Sequence, residues 1–334
     1  MFFKGKKILV IGGTGTIGQS IVKALLKEQP EIIRIFSRDE FKQYQLQNEL
    51  GEISNLRFLI GDVRNYDRVH NAMQDIDYVF HLAAMKHVPA CEYNPYEAVL
   101  TNVHGTNNVI KAAISQNVKK VVFTSSDKAI SPTNTYGATK LMAERLISSA
   151  EYSKGKGQTI FASVRFGNVM GARGSVIPLF KKQILKNKEV TVTDLNMTRF
   201  MMSLSQATEL TLQALKEAKG GEVFVLKMPV ISLKDLTQIV IEGTCKKHHL
   251  NKDEIKISEI GLRPGEKMYE ELMTYEESAT AWELPGMYII PGAYQPLSSY
   301  KNGKKAVPGT YSSMGPEPIT MSELRHMLLS ENLI

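Results

Sequence analysis

The run VIGGTGTIG, Val10 to Gly18, limits what this chain can fold into more than any other stretch. It follows the apolar run KKILVIGG and leads into apolar residues at helical spacing, Ile17, Ile21, Ala24 and Leu25. Gly13, Gly15 and Gly18 satisfy G-x-G-x-x-G, and Gly12, Gly15 and Gly18 satisfy G-x-x-G-x-x-G. The spacing alone is a weak signal. Between a buried strand and a helix it becomes a specific one, because the glycines allow a tight turn and close approach of backbone to a pyrophosphate. The helix then offers free N–H groups and the positive end of its dipole. Gly12, Gly13, Thr14, Gly15, Thr16, Ile17 and Gly18 are therefore expected to cradle a dinucleotide.

Four more apolar runs follow: EIIRIFS, LRFLIGD, DYVFHLAA and KKVVFTSS, each succeeded by a helical stretch such as EFKQYQLQNEL. Near-continuous Val, Ile, Leu and Phe point to strands buried on both faces, as in a parallel sheet. Their alternation with helices predicts a Rossmann-like, doubly wound α/β domain over residues 1–170, in which ligands bind beyond the carboxyl ends of the strands. Over 171–292 the pattern loosens. GARGSVIPLFKKQI reads as loop then helix, EVTVTD and EVFVLK as strands, and SLKDLTQIVIEG as a helix with Ser232 as N-cap. This part is expected to form a smaller substrate lobe interleaved with returns to the main sheet. Residues 293–334 read as an irregular tail rich in Gly, Pro, Ser and Tyr, closed by a short helix that TMSE, Thr320 to Glu323, opens as a capping box.

The charge of +7, from 41 basic and 34 acidic residues, suits an anionic partner such as a phosphate-bearing small molecule. A nucleic-acid partner is not expected, since no dense Lys/Arg block carries interleaved aromatics. The two cysteines, Cys91 and Cys245, lie far apart and outside metal-ligand spacing, so no metal site is expected and a reducing cytoplasm fits. The stretch MFFKGKKILVIGG does not read as a signal peptide, and no apolar run is long enough to span a bilayer.

The strand ends carry the chemistry. The second ends in FSRDE, placing Ser37, Arg38 and Asp39 where the ribose of a dinucleotide lies, with Lys42 one turn into the helix. Arg38 and Lys42 either meet a 2′-phosphate or form a solvated helix start. The first reading favours NADP over NAD. Asp39 either caps the helix or binds a ribose. Asp62 and Val63 close the third strand near an expected adenine edge. Ala83 at the end of the fourth is small enough to admit a cofactor, and Lys86 in the following loop is either solvated or functional.

The stretch SSDKAISPTNTYGATK, Ser125 to Lys140, follows the fifth strand. Tyr136 and Lys140 are four apart and share a helix face. An unperturbed tyrosine, with a pKa of ~10, is a poor base at neutral pH, but a nearby ammonium favours the phenolate. The phenolate can take a hydroxyl proton while hydride leaves for the cofactor, and Ser126 can hold that hydroxyl. Asp127 and Lys128 add a second acid–base pair.

This combination resembles the extended short-chain dehydrogenase/reductase family. Taken with FSRDE, GDVRN, AAMKHVPACEYNP, TNVHGTNNV, SSDKA, YGATK, RFGNVMGARGSVIP, TDLNMTRF and GLRPGEKMYEEL, it resembles the inverting UDP-N-acetylglucosamine 4,6-dehydratases of bacterial surface-glycan biosynthesis over most of the chain. The resemblance implies Lys128 as base at carbon 5, Asp127 as acid for the hydroxyl leaving carbon 6, and Tyr136 with Lys140 for the redox step. It implies Lys86, Asn102, Tyr136, Lys140 and Val169 against the cofactor, and Lys86 again with Asn168, Arg173, Thr193, Arg199, Arg263 and Glu266 against a UDP-N-acetylhexosamine. It also implies a homo-oligomer, with a hexamer as the family expectation. Ser126 stands where such proteins commonly carry Thr, and both have a hydroxyl. Two other readings stay open: a UDP-sugar 4-epimerase or a dehydratase of altered regiochemistry, and, in a different class, a non-catalytic NADP-binding sensor.

Overall fold

The first apolar run becomes the centre of a large sheet in the computed structural model, which describes residues 1–292, 300 and 303–334. The amino-terminal part runs β1 (Lys7–Ile11), α1 (Thr16–Leu26), β2 (Ile32–Ser37), α2 (Glu40–Leu50), β3 (Leu56–Ile60), α3 (Tyr66–Ala72) and β4 (Tyr78–His81). Next come α4 (Val88–Tyr93), α5 (Pro95–Ala98) and a π-helical turn, Val99–His104, that continues into α6 (Gly105–Ser115). Then follow β5 (Lys120–Thr124), a 3-10 turn at Asp127–Ala129, α7 (Thr135–Ser153) and β6 (Ile160–Arg165).

The later part holds β7 (Asn168–Val169), α8 (Val176–Asn187), β8 (Glu189–Val192), β9 (Thr198–Met202), α9 (Leu204–Glu217), β10 (Val223–Leu226), β11 (Val230–Ser232) and α10 (Leu233–His248). After these come β12 (Lys256–Glu259), β13 (Glu271–Met273), α11 (Tyr275–Thr280), β14 (Trp282–Glu283), β15 (Met287–Ile290), β16 (Lys304–Lys305), β17 (Tyr311–Ser312) and α12 (Met321–Ser330).

The main sheet has the order β16-β14-β15-β10-β6-β5-β4-β1-β2-β3. Pairings from β3 to β10 are parallel, and β15, β14 and β16 join antiparallel at the far edge. Residues Ile8 to Ile11 of β1 are fully buried. Alternate side chains enter opposite layers: Ile8 and Val10 pack with Ile21 and Leu25 of α1 and Leu210 of α9, while Leu9 and Ile11 pack with Val69 of α3, Val109 of α6 and Ile147 of α7. A strand covered on both faces has no room for polar alternation, which is why the sequence shows unbroken apolar runs. Strand order reverses between β1 and β4, so a crevice opens beyond their carboxyl ends.

The second lobe is built from β11-β9-β7, the β12-β8 pair and the β13-β17 pair, with α8, α10 and α12 around a core that includes Phe180, Ile184, Leu236, Ile239 and Leu324. The chain returns to the main sheet through β10 and β14–β16. Ser232 accepts from Asp235 N at the start of α10, and Thr320 with Glu323 forms the capping box of α12. The tail expected to be irregular differs in two places. Two-residue strands β16 and β17 form there, too short to leave a periodic signal, while residues 293–299 and 301–302 of that tail lie outside the described residues. Arg165 of β6 is wholly buried between Glu144 of α7 at 2.6 Å and Glu277 of α11 at 2.7 Å, tying the two halves together. Among the described residues no helix is long and apolar enough to cross a membrane.

Candidate active site

At the crevice between β1 and β4 lies a cleft of about 440 Å³. Gly12 turns the chain at φ 82°, and a Cβ there would stand 2.8 Å from Ala83 N of the loop after β4. A Cβ on Gly18 would stand 2.5 Å from Gly12 O, so this glycine lets α1 sit close on the turn. Gly13 serves the same packing: its Cβ would meet Ile35 at 2.9 Å, and the residue does not line the cleft. Gly15 occupies the N-cap of α1 and no side chain caps the helix. Its first-turn N–H groups thus face the cleft lined by Thr14, Gly15, Thr16, Ile17 and Gly18. The cradle fits a pyrophosphate.

Ser37, Arg38, Asp39 and Lys42 line the next stretch of the cleft, followed by Asp62, Val63 and Ala83. Asp39 is the N-cap of α2, accepting from Lys42 N at 3.0 Å and pairing with the Lys42 ammonium. Its carboxylate serves the helix start, one of the two roles expected of it, while the residue also lines the cleft. Asp62 pairs with Arg64 at 2.7 Å. Arg38 keeps 62% of its side chain exposed and lies 4.0 Å from Asp62. Arg38 is thus held only loosely at the ribose end of the cleft.

The turn after β5 separates this cleft from a second cavity. Thr124 lines the cleft and Lys128 lines the cavity. Between them Ser126 and Asp127 are buried. Asp127 Oδ1 accepts from Ser126 Oγ at 2.8 Å, from Lys128 N at 2.9 Å and from Lys128 Nζ at 3.2 Å. Tyr136 sits in the first turn of α7, which Asn134 caps by accepting from Gly137 N at 2.8 Å. Burial raises the Tyr136 phenol, opposed by a hydrogen bond with Ser126 and by the charge of Lys128. Burial lowers the Lys140 amine to about 7. Lys140 Nζ donates to Thr124 O at 2.5 Å and lies 4.1 Å over the Phe123 ring. Lys140, one helical turn along α7 from Tyr136, is thus directed at the end of β5.

The second cavity, about 190 Å³, is walled by Lys128, Asn134, Asn168, Arg199, Glu266 and Glu270 among others. A third, about 270 Å³, shares Asn168, Arg199 and Glu266 with it and adds Thr193 and Arg263. Five residues expected to meet the substrate, Asn168, Thr193, Arg199, Arg263 and Glu266, are thus brought to one continuous wall. Arg199 is partly engaged already: its guanidinium donates to the carbonyls of Thr198, Lys267 and Met268.

Three residues fall elsewhere than expected, and a fourth, Lys86, lines one of the two places expected of it. Arg173 lines the cleft at the glycine turn rather than the second or third cavity, and its guanidinium donates to Thr14 O at 2.8 Å. Lys86 likewise lines only the cleft; burial lowers its amine, helped by repulsion from Arg173 and Lys128. Val169 lines the third cavity instead of the cleft. The Asn102 amide is occupied by Met85 N, Met85 O and Thr139 Oγ1, so it braces the loop after β4. Glu270 was not anticipated. It lies within the quoted run GLRPGEKMYEEL, but its contact with Lys128, 3.3 Å away, exists only in three dimensions. The described residues hold no cluster of metal-ligating side chains.

The family described as polysaccharide biosynthesis protein matches residues 8–292. A solved structure, Pen from Bacillus thuringiensis, is 62% identical, covers 100% of both chains and superposes with a TM-score of 0.95. A UDP-N-acetylglucosamine 4,6-dehydratase (inverting) of Campylobacter jejuni is 41% identical over 290 residues, 86% of this chain and 83% of the relative. A UDP-glucose 4-epimerase of Rickettsia prowazekii is also 41% identical, over 337 residues, 98% of this chain and 96% of the relative. With a family model matched over residues 8–292 and relatives 41% identical across most of its length, the chain belongs to the polysaccharide biosynthesis protein family.

Proposed function

We propose that this protein is a UDP-N-acetylglucosamine 4,6-dehydratase, a hydro-lyase that uses NADP without net redox and inverts carbon 5, giving a UDP-4-keto-6-deoxy-N-acetylhexosamine. The observation that carries this reading is the Asp127–Lys128 pair beside Tyr136, between the cofactor cleft and the second cavity. A 4-epimerase needs a redox group at one carbon and has no evident use for a second acid–base pair. The name of the Campylobacter relative agrees with the dehydratase. The name of the Rickettsia relative supports a second reading, UDP-sugar 4-epimerase.

A dinucleotide held by the glycine turn, Arg38 and Lys42 would supply hydride chemistry: acceptance of hydride from carbon 4 and its return at carbon 6. Tyr136 removes the proton from the carbon 4 hydroxyl, which Ser126 holds. The ketone makes the carbon 5 proton acidic. Lys128 takes that proton, and Asp127 protonates the hydroxyl leaving carbon 6. Before this, one proton passes from Lys128 Nζ to an Asp127 oxygen; an N–H bond breaks, an O–H bond forms and nothing is oxidised. Elimination returns the pair to carboxylate and ammonium, the arrangement described above. Water on the opposite face gives carbon 5 a proton and so inverts it, and the hydroxide left takes the proton held by Tyr136.

Arg38 and Lys42 at the cleft, with Asp39 engaged as a cap, support NADP over NAD. Asn168, Thr193, Arg199, Arg263 and Glu266 would receive the UDP-N-acetylhexosamine. Two free, buried cysteines fit a reducing cytoplasm, and the family resemblance supports a homo-oligomer.

The test is proton NMR of UDP-N-acetylglucosamine incubated with the protein in heavy water. A 4-keto-6-deoxy product with deuterium at an inverted carbon 5 supports the dehydratase. UDP-N-acetylgalactosamine as product makes the protein a 4-epimerase.

A further inference from the structure

Glu270 is only 4% exposed, yet it is ionisable and lines the second cavity. Its backbone is pinned, with Glu270 N donating to Ser313 Oγ at 2.9 Å and Glu270 O accepting from Ser313 N at 2.8 Å. Oε1 lies 3.3 Å from Lys128 Nζ and 3.8 Å from Arg199 Nε. Oε2 is buried without a hydrogen-bond partner. An amide or apolar residue would fill this space at less cost than a half-satisfied carboxylate. The contact also crosses the molecule: Glu270 precedes β13 of the second lobe, while Lys128 belongs to the turn after β5. Lys128 thus stands between two carboxylates. Burial alone would lower its amine, but Asp127 and Glu270 reverse this and raise it.

We propose that Glu270 is a positioning residue for Lys128: from the second lobe it fixes the amine beside Asp127 and holds its proton, so that the pair begins each cycle as carboxylate and ammonium. The catalytic meaning rests on reading Lys128 as the base at carbon 5; the electrostatic coupling does not.

Trace labelling with acetic anhydride tests the coupling directly, because only the neutral amine reacts and the Lys128 side chain is 24% exposed. With Glu270→Gln at pH 9, Lys128 should label about tenfold faster, the change that one pKa unit produces. Lys267, which lines the same cavity, should label at an unchanged rate. Glu270→Asp keeps the charge but draws it back by one methylene, and should fall between the two; it carries the test if the glutamine variant does not fold. In turnover, Glu270→Gln should lower kcat about tenfold with KM for UDP-N-acetylglucosamine within about twofold, since a small misplacement of a reacting group slows chemistry more than binding. Unchanged labelling of Lys128, or equal acceleration of Lys128 and Lys267, overturns the proposal. If the wild type places no deuterium on carbon 5 while Lys128 labelling still responds, the reaction assignment fails and the positioning role stands.

Discussion

The cleft at the glycine turn and the two cavities beyond Lys128 meet at one turn, yet they are made differently. The cleft is assembled from successive strand ends: the glycine turn after β1, FSRDE after β2, Asp62 and Val63 after β3, Ala83 after β4 and Thr124 ending β5. Each piece is shaped by its own short run. The cavity beyond Lys128 takes its walls from Lys128, Asn134, Asn168, Arg199, Glu266 and Glu270, contributed by both lobes. Its electrostatics depend on how those lobes pack. The cleft is therefore shaped by local backbone, whereas the cavity couples charges that no local rule links.

The sharpest way to break this contrast is Lys128→Ala, which should cut deuterium incorporation at carbon 5 by about 10³-fold while leaving NADP affinity unchanged, as expected for loss of a general base. Normal product yield in the NMR assay would remove Lys128 from its role. Gly18→Ala probes the cleft itself. A Cβ there stands 2.5 Å from Gly12 O, so backbone must move, and NADP affinity should fall about 100-fold by fluorescence titration. Affinity within twofold would mean that the cradle adapts.

Arg38→Ala should be more selective. Loss of a charge-assisted contact worth about 1.5–3 kcal/mol should weaken NADP tenfold or more and leave NAD nearly unaffected. Equal losses for both dinucleotides would refute the 2′-phosphate reading. The smallest effect is expected for Ser126→Thr. Ser126 has extended backbone at φ −155°, which a β-branched residue adopts readily, and the hydroxyl is kept. Turnover should stay within about threefold; a larger loss would show that the buried turn lacks space for one methyl group.

Much of the cleft was legible because its signals are local. A glycine required by a 2.5 Å approach and an apolar run required by burial on two faces both leave their mark in a few consecutive residues. Residues whose side chains are occupied by distant partners left no such mark. Nothing near Asn102 shows that its amide meets Met85 and Thr139, and nothing near Arg173 shows that it reaches Thr14. The Arg165–Glu144–Glu277 cluster, which joins β6, α7 and α11, was equally invisible.

The sequence by itself determined the doubly wound sheet, the glycine turn between β1 and α1, and the helix face that Tyr136 and Lys140 share. These follow from hydrophobic periodicity, glycine sterics and helix spacing, all of which act over a few residues. Tertiary structure alone decided which distant groups meet: that Arg173 leans on the glycine turn, and that Glu270 faces Lys128. Electrostatic coupling depends on distance in space and on burial, and chain separation carries almost no information about either.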